Sequence, residues 1–197
     1  MAYCQRIKRA VSAEITVKGS KFIAYAEPVG SVAAIEAHIE ALRQEHHKAR
    51  HHCYAWRLGP EGEEYRANDD GEPSGTAGLP IYNQLLSFDV SDCLIVVVRY
   101  FGGTLLGAPG LIRAYKQASL EALEQAYLSQ IIPKTTFSVS LPYQAVNELM
   151  QSVEHWQMRI IDQKMDMPCR YILECRRDDY ELIIDQFTRT EITLIAD

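Results

Sequence analysis

The sequence predicts an α+β protein built in two parts, and three features carry that prediction. All eleven glycines lie at or before Gly110, seven of them between Gly71 and Gly110, while the last 87 residues hold none. The run "CLIVVVRY" at 93–100 is apolar almost throughout, as in a strand covered on both faces. After Pro133, strand-like and helix-like segments follow one another in the order β-α-β-β-α-β.

In the first part, "AEITV" and "KFIAYAEPV" read as a strand pair around Lys18-Gly19-Ser20. A helix follows Ser31, a good N-cap, with Val32, Ile35, Ile39 and Leu42 on one face. "HHCYAWRL" and "EEYRA" read as strands, 79–86 as a short helix, and 93–100 as the buried strand. A longer helix starts near Pro109 and runs to about Tyr127.

In the second part, "KTTFSVSL", "MRIIDQKM", "CRYILECR" and "EITLIA" are strands. "YQAVNELMQSVEHW" is a helix with Val146, Leu149, Met150 and Val153 inward, and "DDYELIIDQFT" is a helix capped by Asp178 or Asp179. The order is that of a ferredoxin-like split β-α-β unit. Cys169, Tyr171, Leu173 and Cys175 alternate onto one face and read as core. Pro133 suits a junction, so the expected domains are 1–129 and 130–197.

At 197 residues, 47% hydrophobic and 23% charged, the chain can bury a core of its own. Its N-terminus is basic at Arg6, Lys8 and Arg9 but lacks the apolar segment of a signal peptide, and no apolar run is long enough to span a bilayer. Five cysteines without a C-x-x-C pair argue against a disulfide framework or a zinc site. The expected location is therefore the cytoplasm. The formal charge of −6 excludes a uniformly basic, nucleic-acid-coating surface. Residues 1–129 carry 13 Lys/Arg against 15 Asp/Glu, net −2, and the remainder 7 against 11, net −4. A local basic patch remains compatible with those balances.

Chemistry concentrates in three stretches. "DDGEPSGTAGLP", from Asp69 to Pro80, groups Asp69, Asp70 and Glu72 among small residues. It is not a calcium loop: with Gly71 at the fixed glycine, Arg66 and Ala77 fall on the first and last ligand positions. It reads as a turn, or as carboxylates holding a magnesium ion beside a phosphate.

"RYFGGTLLGAPGLIRAYK" runs from a buried strand through Gly102, Gly103, Gly107 and Gly110 into a helix. It is not a P-loop, because Ala108-Pro109 stand where Lys and Ser/Thr are required. A helix start still attracts anions. Arg113 and Lys116 occupy its first two turns, against the dipole, and no acid appears before Glu121. With Arg99 at the end of the strand they read either as a phosphate or RNA-backbone site or as a solvated face with packing glycines.

"HHKARHHCYAW" places His46 and His47 at a helix end. His51 and His52 face opposite ways on a strand, and His51 shares a face with Cys53 and Arg57. A Cys–His pair without a third orienting group reads as packing or as lining of a site, and no catalytic residue is assigned.

Three segments together, "ARHHCYAW", "DDGEPSGTAGLP" and "VVVRYFGGTLLGAPGLIRAY", resemble the signature blocks of the IMPACT family in its bacterial YigZ-like branch. "VKGSKFIAYAEPV" is similar to that family's early strand pair. The resemblance implies an N-terminal β-α-β domain like domain four of elongation factor G and the GHMP kinases. It also implies a C-terminal ferredoxin-like domain like domain five of that factor. It further implies a link to translation, since the eukaryotic relatives counter activation of a kinase that phosphorylates an initiation factor. They do so with an extra N-terminal domain that has no counterpart in this sequence. Leu79 stands where that family often has Lys or Arg, and Ala108-Pro109 replace a glycine-containing pair.

The expected function is a non-enzymatic translation-associated regulator that binds RNA or the ribosome through the glycine-rich surface, with no cofactor. The alternatives are a metal-assisted enzyme on a phosphorylated small molecule, with Asp69, Asp70 and Glu72 as ligands, and a protein–protein adaptor. The adaptor would present the second domain's sheet through residues such as Arg159 or Tyr171.

Overall fold

The six residues from Cys93 to Val98 are all fully buried, and the computed structural model, which describes residues 3–195, shows why. This segment, β6 (Cys93–Tyr100), is the middle strand of a five-stranded antiparallel sheet. On one side lie β3 (Ser20–Pro28) and then β2 (Val11–Val17). On the other lie β4 (His51–Leu58) and then β5 (Glu64–Asn68). Cys93, Ile95 and Val97 enter one core cluster, and Leu94, Val96 and Val98 enter the other. The period-two alternation thus feeds two cores at once.

Helices close both faces. The face of Leu94, Val96 and Val98 is covered by α1 (Val32–Glu45) through Ile35, Ile39 and Leu42. Its start is capped as expected, Ala34 N–H donating to Ser31 Oγ at 3.2 Å. Val32, expected inward, is exposed at the first helical position. The opposite face is covered by α2 (Gly78–Ser87), with Ile81 and Leu85, and α3 (Gly107–Glu124), with Leu111, Ala114, Tyr115 and Ala118.

The helix expected to reach Tyr127 stops at Glu124, because the chain turns there into a strand, β7 (Leu128–Gln130). Its antiparallel partner is β1 (Gln5–Ile7), in the register Gln5↔Gln130. This clasp carries the first compact unit to Ile131, the second running from Ile132 to Asp197.

In the second unit a four-stranded antiparallel sheet is formed by β8 (Lys134–Leu141), β9 (Arg159–Lys164), β10 (Cys169–Arg176) and β11 (Thr193–Ile195). The order β11-β8-β10-β9 is the ferredoxin-like arrangement. Helices α4 (Val146–His155) and α5 (Tyr180–Phe187) bury Leu149, Ile183 and Phe187 against it. Cys169, Tyr171, Leu173 and Cys175 all point into this core. Tyr171 is therefore not a surface residue for a partner; its O–H reaches Met165 Sδ at 3.1 Å. Arg159 is exposed and pairs with Glu174 at 3.5 Å. The strand expected at 191–196 begins only at Thr193, and Ala196 lies outside the described residues.

Candidate functional site around the two glycine loops

The acidic stretch leaves β5 and turns at Asp70-Gly71, both with positive φ (42° and 84°). Gly accepts that conformation freely, and Asp is among the few other residues that tolerate it. The turn sends each of the three acids to a different partner.

Asp69 folds back over the start of α2, whose own N-cap, Ala77, offers no side chain. Its Oδ1 accepts from the backbone N–H groups of Ala77 and Gly78 at 2.9 and 2.8 Å, and its Oδ2 from that of Gly75 at 2.9 Å. Burial pushes this carboxyl up, but the three N–H donors together hold it below the usual value. An acid eight residues upstream thus serves as the helix cap.

Asp70 ties the loop to the opposite helix and to β4. Its carboxylate accepts from His52 N–H at 2.7 Å and from Arg43 Nη2 at 3.0 Å. Its backbone carbonyl faces His51 Nδ1 at 2.8 Å. A carbonyl only accepts, so the neutral His51 ring carries its proton on Nδ1 and leaves Nε2 as an acceptor.

Glu72 is buried, and a single oxygen, Oε1, receives both Arg99 Nη1 at 2.6 Å and the Tyr115 hydroxyl at 2.7 Å. Arg99 is equally enclosed, its side chain 8% exposed. Its guanidinium lies 5.5 Å from the centroid of Phe22 and 5.7 Å from that of Phe101. The Cys53 thiol donates to the Asp69 carbonyl at 2.9 Å and reaches the Tyr115 hydroxyl at 3.3 Å. Burial pushes both Cys53 and Tyr115 far up, so the thiol stays protonated and is no nucleophile.

These contacts bear on two sequence expectations. Asp69, Asp70, Glu72, His51 and Cys53 do come together, yet the acids are spent on protein donors. No group of three or more His, Cys, Asp or Glu among the described residues is arranged to hold a metal ion. Arg99, expected as an anion ligand at the strand end, is instead neutralised inside the fold by Glu72.

The second loop is held from below. Gly102 N–H donates to Ser20 Oγ at 3.1 Å, and a Cβ on Gly102 would overlap the backbone of Gly19 and Ser20. Gly19 belongs to the two-residue turn Lys18-Gly19, with φ 46° and 80°, the left-handed pair that suits a tight hairpin. The loop then enters α3 at Gly107, φ 68°, with no side-chain cap and no acid in the first turn.

The loop 101–106 contributes residues to two grooves, Leu106 to one and Phe101 and Leu105 to the other. Lys18, Leu106, Gly110, Arg113 and Lys116 line the first, a cavity of about 510 Å³. Lys48, Arg50, His51, Arg99, Phe101 and Leu105 line the second, about 660 Å³. Sequence reasoning named Arg113, Lys116 and the glycines but passed over Lys18, Lys48, Arg50, Phe101 and Leu105. The signal for Lys18 was its place in the hairpin turn. For Phe101 and Leu105 it was two large apolar residues inside a glycine loop. Among the described residues no helix is long and apolar enough to cross a membrane.

Comparison with known proteins agrees with these loops. Residues 18–123 match the Impact N-terminal domain. The IMPACT family member of Haemophilus influenzae is 33% identical over 183 residues, 92% of this chain and 89% of that protein. IMPACT family member YigZ of Escherichia coli K12 is 40% identical over 129 residues, 64% of this chain and 63% of YigZ, less than two thirds of its length. A crystal structure of a hypothetical protein superposes with a TM-score of 0.73 at 30% identity, covering 100% of this chain and 98% of its own. With signature loops, two-unit architecture and sequence in accord, the chain belongs to the IMPACT family, in its bacterial YigZ-like branch.

Proposed function

We propose that this protein is a non-enzymatic, translation-associated regulator that binds RNA or the ribosome through the surface around its second glycine loop. One observation carries the reading. Lys18, Arg113 and Lys116 line a single groove beside the uncapped start of α3, and none of them makes an ion pair among the described residues. Cations beside a helix N-terminus are unfavourable by about 0.3–1 kcal/mol each when exposed, and a ligand of opposite charge reverses that cost. Gly102, Gly103, Gly107 and Gly110 keep side chains away from the backbone there. Arg99 serves from behind, fixing the loop through Glu72 and Phe101. Family membership supports the link to translation, which the resemblance attaches to the eukaryotic branch; a cytoplasmic site of action follows from it.

The test is co-sedimentation with ribosomes and RNA binding between about 50 and 200 mM salt. The expected result is salt-dependent binding whose logarithmic slope falls by roughly one for each of Arg113→Ala and Lys116→Ala. Absence of binding at low salt, or binding unchanged in the double variant, would overturn the reading.

A further inference from the structure

The second groove differs from the first in kind. Phe101 is 57% exposed, yet its ring is backed by the Arg99 guanidinium 5.7 Å from the centroid, and Arg99 is itself held by buried Glu72. An aromatic ring presented to solvent on a fixed support is a stacking platform that loses little freedom on binding. Leu105, 84% exposed, adds apolar surface at the same rim. Lys48 and Arg50 are exposed, line the same groove and make no ion pair among the described residues.

His51 lines the same groove. Its Nδ1 proton is committed to the Asp70 carbonyl, so Nε2 offers only a lone pair. In the neutral ring this lone pair accepts from an N–H donor, and a nucleobase edge carries such donors. Apolar platform, acceptor and flanking cations together suit a base with a phosphate on either side. At about 660 Å³ the groove is in the range of small-ligand sites, ample for one nucleotide.

We propose that this groove is a subsite for one unpaired nucleotide of a single-stranded RNA, the base stacked on Phe101 and its flanking phosphates on Lys48 and Arg50. The inference rests on the RNA-binding reading above and narrows it. The same loop contributes Leu106 to the groove of Lys18, Arg113 and Lys116, where further phosphates of the strand are expected to bind. A duplex does not fit this arrangement, because its base faces are occupied by stacking.

The experiment measures fluorescence anisotropy of a labelled oligo-adenylate RNA dodecamer, free and paired with oligo-uridylate. Inorganic polyphosphate serves as a base-free competitor. Single-stranded RNA is expected to bind more tightly than the duplex. Phe101→Ala and Phe101→Leu should weaken it about 5- to 100-fold with an unchanged salt slope, while Lys48→Ala and Arg50→Ala flatten the slope. Phe101→Trp should retain binding, and its added emission should be quenched by RNA. Phe101 is exposed, so far-ultraviolet circular dichroism should show each variant folded.

Equal binding of duplex and single strand, or equal binding by Phe101→Ala and the parent, overturns the proposal. If Phe101→Ala is silent while Arg113→Ala still weakens binding, the subsite falls and RNA binding stands. If the parent binds no RNA at low salt, both fall. If an acidic peptide displaces RNA with the same sensitivity to Phe101→Ala, the groove is a protein-docking site and the nucleotide assignment is overturned.

Discussion

Glu72 Oε1 receives Arg99 at 2.6 Å and the Tyr115 hydroxyl at 2.7 Å, so one buried oxygen joins the acidic loop, the middle strand and the last helix of the first unit. The stretch that most resembles an active site is therefore a clamp. Its acids, Asp69, Asp70 and Glu72, hold the loops in place.

Breaking this clamp on one side leaves an uncompensated charge. Glu72→Ala and Arg99→Ala are each expected to destabilise the first unit by about 3–5 kcal/mol. The double variant should lose less than the sum of the two. Urea denaturation of the four proteins gives the coupling energy, and strict additivity would show that the pair does not act as one.

Asp69→Asn keeps the size of the cap and removes its charge. Hydrogen bonds to a charged acceptor contribute about 1.5–3 kcal/mol each, so a loss on the order of 1–3 kcal/mol is expected at neutral pH. The folded carboxyl lies below its unfolded value, so its stabilisation is present above the unfolded pKa and is lost as pH falls through the folded one. The acid limb of a stability–pH curve should accordingly be shallower in Asp69→Asn than in the parent.

His52 acts in a higher window. Burial pushes its pKa down, outweighing the pull of Asp70 4.0 Å away, and Arg43 and His46 push the same way as burial. The unfolded ring therefore takes up a proton first as pH falls below about 6.5, and stability declines from there until the folded ring protonates. His52→Gln should flatten the decline that sets in below about pH 6.5 in thermal melts. An unchanged slope would exclude His52 as its source.

Two glycines should respond in opposite senses. Gly102→Ala forces a Cβ into the backbone of Gly19 and Ser20, neither of which can yield as a side-chain tip would. Thermal stability should drop, and RNA binding with it, since the Lys18 turn must shift. Gly30→Ala meets nothing within 4 Å at an ordinary φ and should be neutral or stabilising by about 0.4–1 kcal/mol. Differential scanning calorimetry of both variants checks the contrast.

The elements of regular period were legible in the sequence. The apolar run at 93–100 announced a strand with two buried faces, and the alternation of Cys169, Tyr171, Leu173 and Cys175 announced a core face. The strands β1 and β7 were not legible, because three residues carry no measurable alternation and their pairing spans most of the first unit. In the candidate site the residue types and glycine positions were readable, but the pairing of Glu72 with Arg99 was not. Carboxylates and cations on separate loops look the same in sequence whether they neutralise each other or await a ligand. Only the fold, by closing a distance across 27 residues, decides.

The clasp of β1 with β7 also sets a schedule for the growing chain. Besides pairing with β7, Gln5 reaches Asp89 and Ser91 through backbone hydrogen bonds. Leu128 is made about 120 residues after Gln5, which at a synthesis rate of roughly 5–20 residues per second is a wait of roughly 6–25 s. β1 is thus synthesised well before its partner strand, and its edge stays unpaired with β7 until residues 128–130 arrive.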